Sequence, residues 1–400
     1  MVFAIGFALF ALGITFSVAL HECGHMWAAQ ATGMKVRRYF IGFGPKVFSF
    51  RRGETEYGLK ALPLGGFCDI AGMTALDELE PEELDRAMYR QATWKRLFVM
   101  SGGIMMNFLL GYILIVVLAV GWGLPHLTQP PETQLGAMGC VASYAPDGTR
   151  QECTGDGPAQ RAGLQPGDLV TAVNGTSVDT WNDFRALTEK QTGEFTYTVE
   201  RDGRTLTLPV TPERVTVYDK DGRSETVSKV GVGQATAGPP VEYSLPAALP
   251  AAAVFTGELG VRTVESLAKL PAKVGALVEA VSGGERDPET PVSVYGASRI
   301  GGETAERGYW GVFILVLASL NFFLGVFNLL PLLPLDGGHM AVVTYEKIRN
   351  VLRNRRGLPD GSPVDYFKLM PATYVVVVLG GAYMLLTLAA DIVNPITLFP

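Results

Sequence analysis

His21-Glu22-Cys23-Gly24-His25 closes a segment, 2–29, that contains no Lys or Arg, and no residue from Val2 to Leu20 is charged. Such a run is long enough to cross the hydrocarbon core of a bilayer, which takes ~20 apolar residues. An ionisable group inside a membrane costs about 2.5–3.5 kcal/mol on insertion scales, so the two histidines and the glutamate demand a partner or a task. On a helix, residues four apart share a face, so His21 and His25 reach one metal ion and Glu22 projects beside them. This is the spacing of zinc hydrolases, in which the glutamate takes a proton from the attacking water. The plainer reading, polar residues at a frayed helix end, is strained because Met26-Trp27-Ala28-Ala29 continues the apolar run.

Working outward, 97–124, 309–335 and 374–393 are equally apolar and free of basic residues. The fold expected is a polytopic α-helical membrane protein with about four transmembrane helices. Positive charge gathers at Lys35, Arg37 and Arg38, at Lys95 and Arg96, and from Lys347 to Arg356. By the positive-inside rule, both termini and the long central loop are then extracytoplasmic in the cell (inner, cytoplasmic) membrane. The first segment lacks a basic leader and reads as a retained span rather than a cleaved signal. A net charge of −6 argues against nucleic acid as the partner. Cys140 and Cys153 fall in the external loop, where an oxidising compartment allows a disulfide. Cys23 and Cys68 fall on the other side.

The expected division is 1–32 (first span), 33–96 (cytoplasmic β region and surface helix), 97–124 (second span) and 125–240 (external domain). It continues as 241–308 (external helical linker), 309–340 (third span), 341–371 (cytoplasmic loop) and 372–400 (fourth span). Within it, 46–63 alternates about Arg52-Gly53 as a hairpin that stops at Pro63-Leu64-Gly65-Gly66. Residues 77–96 read as a surface helix. A compact α+β domain occupies about 134–212, centred on Gly157–Val170, with a polar boundary at 213–240. Residues 245–281 read as one or two helices lying on that domain or on the membrane. Asp391, near the external end of the fourth span, reads as interfacial.

A hydrolytic zinc needs a third protein ligand. Asn328-Leu329-Leu330-Pro331-Leu332-Leu333-Pro334-Leu335-Asp336-Gly337-Gly338-His339 offers Asp336 and His339, and chemistry alone leaves both open. Polar residues in a broken span also suit a transporter, but that reading leaves Glu22 between two histidines unexplained. A membrane-anchored scaffold with catalysis lost would show a degenerate site, whereas each expected group is present.

Taken together, these motifs resemble the site-2 proteases, over essentially the whole chain, and most closely the bacterial branch that cleaves anti-sigma factors. The resemblance implies one Zn²⁺ per chain held by His21, His25 and Asp336, with Glu22 catalytic. It further implies that Asn328, and at span two Asn107, contact the substrate backbone or the developing oxyanion. Ile41-Gly42-Phe43-Gly44 and Tyr57–Gly66 are similar to that branch's membrane-associated β-hairpin, and Gly157–Val170 to the ligand-binding half of a PDZ domain. An exposed edge near Tyr57–Leu62 would capture an unwound substrate by strand addition. The partners implied are single-span membrane proteins, anti-sigma factors among them, already cut once outside the membrane. One departure stands out: where the family has Gly-Pro before its span-two asparagine, this chain has Ser101-Gly102-Gly103 and no proline.

Overall fold

The computed structural model describes residues 1–74, 77–127, 132–142, 153–218, 224–235, 238–284, 286–287 and 289–396. It divides into two units, Met1–Leu124 with Val241–Pro400, and Pro125–Pro240.

In the first unit, helix α1 (Val2–Ala31) leads into strands β1 (Val36–Arg52) and β2 (Thr55–Ile70), and α2 (Thr93–Gly121) follows. At 1.5 Å per residue, His21 lies roughly 28 Å along α1 from Val2, near the far end of a ~30 Å hydrocarbon core. The two strands are long and bent. Arg38 to Ile41 face Asp69 to Gly66 on one side and Glu56 to Leu59 on the other, while Phe48 to Arg52 pair with Leu59 to Thr55. Each strand thus supplies two arms, and Tyr57–Leu59 lies in the interior of the sheet rather than at an edge. The chain does not stop at Gly66. It turns at Gly65, whose φ of 101° favours glycine, and continues as strand to Ile70.

The surface helix expected over 77–96 is instead two short 3-10 turns, Pro81–Arg86 and Met88–Arg90. An ion cluster anchors this segment. Glu83 is 3% exposed and is held by Arg37 and by Lys35 at 3.0 Å. Arg37 beside it holds the Glu83 carboxyl well below its ordinary value, at about 2. That stabilisation is complete above the ordinary carboxylate pKa and is lost as pH falls towards 2.

The second unit (125–240) carries β3 (Leu135–Met138), α3 (Pro158–Arg161), β4 (Leu169–Val173), β5 (Thr176–Ser177), α4 (Trp181–Glu189), β6 (Phe195–Arg201) and β7 (Arg204–Val210). Strands β8 (Glu213–Tyr218), β9 (Ser224–Lys229) and β10 (Val232–Gln234) complete it. The polar stretch taken as a boundary therefore belongs to the domain: β10 pairs with β3, and β8 with β9. A sheet ordered β5-β4-β6-β7 packs Val170, Val173, Tyr197 and Val199 against Phe184 of α4. Asp168, 1% exposed, accepts two hydrogen bonds from Arg201 at 2.6 and 2.7 Å. Cys140 and Cys153 are bonded, with Cα atoms 5.8 Å apart. A groove of about 470 Å³ opens between 137–142, α4 and 228–233.

Back in the first unit come α5 (Leu245–Lys269), α6 (Val274–Val281), α7 (Val294–Glu306), α8 (Trp310–Asn328), α9 (Asp336–Asn354) and α10 (Met370–Val393). Among the described residues, helices α1, α2, α8 and α10 are long and apolar enough to span a membrane. Helix α5 packs on α2, with Tyr112 donating to Leu249 O at 3.0 Å, rather than lying free. Helix α7, which sequence patterning does not announce, packs against α1 through small residues: a Cβ on Gly6 would stand 2.4 Å from Ala305 Cβ. Such close backbone approach is a common basis of helix association in membranes. The third span ends at Asn328, not at 335, because Pro331 and Pro334 supply no helix N–H. Helix α9 then starts afresh at Asp336, and its Glu346 pairs with Arg96 of α2 at 2.7 Å in a buried site.

Asp391 is buried within the protein. It is 1% exposed, pairs with Arg286 at 2.9 Å and accepts from Ser293 N, which ties α10 to the start of α7. The Arg286 side chain is 5% exposed, and its Nε and Nη1 lack partners among the described residues. Removing one partner of such a pair strands the other charge, at about 3–5 kcal/mol. Asp391→Ala is accordingly expected to lower the thermal midpoint in detergent markedly. Asp391→Ala with Arg286→Met together should recover much of the loss. Equal midpoints for wild type and Asp391→Ala would mean the pair contributes nothing.

Candidate metal centre

The last third of α1 presents His21 and His25 one turn apart, and the first residue of α9 brings Asp336 to the same point. The two Nε2 atoms are 3.1 Å apart, and Asp336 Oδ2 lies 3.2 Å from His21 Nε2 and 3.3 Å from His25 Nε2. Ligands about 2.0–2.1 Å from one tetrahedral ion are about 3.3 Å from each other, so this triangle has the dimensions of a zinc site. No other group of His, Cys, Asp or Glu converges this way among the described residues. Both histidines are under 9% exposed, and Asp336 Oδ2 is buried with no hydrogen-bond donor of its own. A carboxylate oxygen left so would be costly, and a cation at the centre of the triangle removes the cost. These residues fit zinc.

Helix α2 backs the triangle. His25 Nδ1 is 2.8 Å from Val99 O, and the Asn107 carboxamide is 3.1 Å from His21 Nδ1. Gly103 sits between them, where a Cβ would stand 2.4 Å from His25 Nε2 and 2.6 Å from His21 Nε2. The helices can approach this closely because Gly24 meets Gly102: a Cβ on Gly24 would lie 2.2 Å from Gly102 O.

Glu22 is half-buried on the neighbouring face of α1. The arm 66–70 of β2 runs past it. A Cβ on Gly66 would be 3.3 Å from Glu22 Cγ, and the Cys68 N–H points to the Glu22 carboxylate. The edge near the glutamate is therefore 66–70, not Tyr57–Leu62. Burial pushes the Cys68 thiol up, with the Glu22 charge adding to it, and the converging group is His21, His25 and Asp336 without Cys68. Cys23 faces away, donating to Tyr39 OH at 3.2 Å.

The remaining sequence candidates separate. His339 lies outside the triangle, stacked on Tyr366 with Nδ1 3.2 Å from its hydroxyl. Asn328 donates from Nδ2 to Leu324 O at 3.0 Å, within its own helix. Sequence reasoning missed Val99 and Gly103. Their signal, with Asn107, is spacing: positions i, i+4 and i+8 form one stripe of α2.

Residues 9–370 match the sequence profile of peptidase family M50. Over 404 residues the chain is 53% identical to the zinc metalloprotease Rip1 of Mycobacterium tuberculosis, covering 100% of both chains. It is 26% identical over 415 residues to the regulator of sigma-W protease RasP of Bacillus subtilis, covering 84% of this chain and 89% of that one. Over 374 residues it is 28% identical to the metalloprotease MmpA of Caulobacter vibrioides, covering 85% of each.

Proposed function

The chain belongs to peptidase family M50, and on that premise we propose that His21, His25 and Asp336 hold its zinc and that Glu22 is the general base. It is an intramembrane zinc metalloprotease of the site-2 family, a multi-pass protein with four helices, among the described residues, long and apolar enough to cross a membrane. The observation carrying the site assignment is that His21 Nε2, His25 Nε2 and the buried Asp336 Oδ2 lie 3.1–3.3 Å from one another, with Glu22 next to them.

Zinc supplies Lewis acidity when bound, activating water and polarising a carbonyl at neutral pH. Glu22 accepts the proton released as water attacks the scissile carbonyl, then returns it to the nitrogen as the C–N bond breaks. A spanning substrate hides its carbonyls in its own helix bonds and must unwind to be cut. The 66–70 arm beside Glu22 offers backbone groups to hold the unwound segment as an added strand. Asn328 would turn its amide from Leu324 to the substrate backbone or the oxyanion.

The substrates proposed are single-span membrane proteins, anti-sigma factors in particular, already shortened by an external cut. With the basic loops read as cytoplasmic, both termini and the 125–240 unit lie on the outer side of the cytoplasmic membrane in this proposal, where the Cys140–Cys153 bond is chemically at home. That unit is read as a PDZ-like module, and its groove beside α4 suits an extended peptide or a size filter. In cells carrying Glu22→Ala, a single-span anti-sigma factor should persist as a membrane-bound remnant, and the stress transcripts it controls should stay silent. Unchanged turnover and unchanged transcription would remove the signalling role.

A further inference from the structure

We propose that Asn107 is a positioning residue for the ligand His21: its carboxamide oxygen accepts the Nδ1–H and so fixes the tautomer whose Nε2 is free for zinc. The inference rests on the metal-site reading above and goes beyond it.

The comparison is with His25. Its Nδ1 lies 2.8 Å from Val99 O, a carbonyl that only accepts, so that nitrogen carries the hydrogen and Nε2 presents its lone pair to the centre. His21 needs the same tautomer, because its Nε2 is 3.1 Å from His25 Nε2 and 3.2 Å from Asp336 Oδ2. A hydrogen on that atom would fill the space a cation occupies. With the Asn107 amide nitrogen turned to the ring, Nδ1 would have to accept, which puts the hydrogen on Nε2. In that orientation Asn107 Oδ1 is buried without a partner. Half a turn of the carboxamide exchanges Oδ1 and Nδ2 with no other heavy atom moving. One amide atom faces unpaired space either way, so the exchange adds no unsatisfied group, and it gives His21 the tautomer the site requires. Partners of this kind set both ring orientation and ligand basicity.

Asn107 is 1% exposed, and the carboxamide group that faces the site is spent on His21. This differs from the contact with substrate or oxyanion that the family resemblance implies. Helix α2 then holds both imidazoles from one stripe: Val99 through its backbone, Asn107 through its side chain, and Gly103 by leaving room between them.

The test uses the full-length protein in lipid, with zinc affinity measured by chelator competition and the visible spectrum recorded after cobalt(II) substitution. Asn107→Leu, nearly isosteric but unable to accept, should bind zinc about 10–100-fold more weakly and show an altered cobalt spectrum. Asn107→Asp, which keeps the accepting oxygen, should stay close to wild type in both. If Asn107→Leu does not fold, Asn107→Ala takes its place in the comparison. Wild-type affinity in the variant that cannot accept, or an equal loss in Asn107→Asp, would overturn the assignment and leave Asn107 to packing or substrate contact. Absence of zinc and cobalt binding in folded wild type would instead overturn the metal site itself.

Discussion

Asp336→Ala should strip the protein of zinc and of proteolysis together, whereas His339→Ala should keep both. The two residues lie three apart near the start of α9, and chemistry alone makes either a plausible ligand. Geometry separates them. Asp336 Oδ2 sits 3.2 and 3.3 Å from the two Nε2 atoms, while His339 is occupied by Tyr366. Losing a supporting partner of a ligand typically costs 10–100-fold in metal affinity, so losing the ligand should exceed about 100-fold. Metal content after dialysis against a chelator reads the difference. Zinc retained in Asp336→Ala but lost in His339→Ala would reverse the assignment.

The second large effect is expected at a residue with no chemistry. Gly103→Ala puts a methyl 2.4 Å from His25 Nε2 and 2.6 Å from His21 Nε2, at the point where the donors converge. Alanine favours helix over glycine by about 1 kcal/mol, so α2 itself is not weakened. The protein should keep its thermal midpoint while zinc affinity falls by at least about tenfold, the scale of a disturbed ligand orientation. Gly24→Ala is the contrast, since its methyl would strike Gly102 O at 2.2 Å and part the two helices. There the midpoint should fall along with the metal. Undiminished zinc binding in Gly103→Ala would mean that α2 does not shape the site.

What was legible in the sequence followed the range of each interaction. His21, Glu22 and His25 are one turn of one helix, and the cost of burying them in a membrane announces the site. Four spans were readable because charge avoids lipid. Chemistry alone left Asp336 as one of two choices, and only the family resemblance selected it, since its place beside His25 is fixed by a fold that brings together residues far apart in the chain. Of the α2 stripe, Asn107 was picked out but for substrate or oxyanion, while Val99 and Gly103 were invisible for a different reason. They look like ordinary members of an apolar span, and their meaning lies in what they face. The pairing of Asp391 was not legible because its partner Arg286 is distant in sequence. Helix α7 was missed because its glycines, poor helix formers in isolation, are there to let α1 approach. At Pro63–Gly66 the breaker was real, but it turned the chain instead of ending the sheet, and so hid the arm nearest Glu22.

The most direct test of the central claim uses wild type and Glu22→Ala, both purified into lipid and given the same single-span substrate, with cleavage and bound zinc measured in the same preparations. The account predicts about one zinc per chain in both proteins, with cleavage by wild type and a loss on the order of 10²–10⁴-fold in Glu22→Ala. Folded wild type without zinc, or cleavage that survives the loss of Glu22, would contradict it.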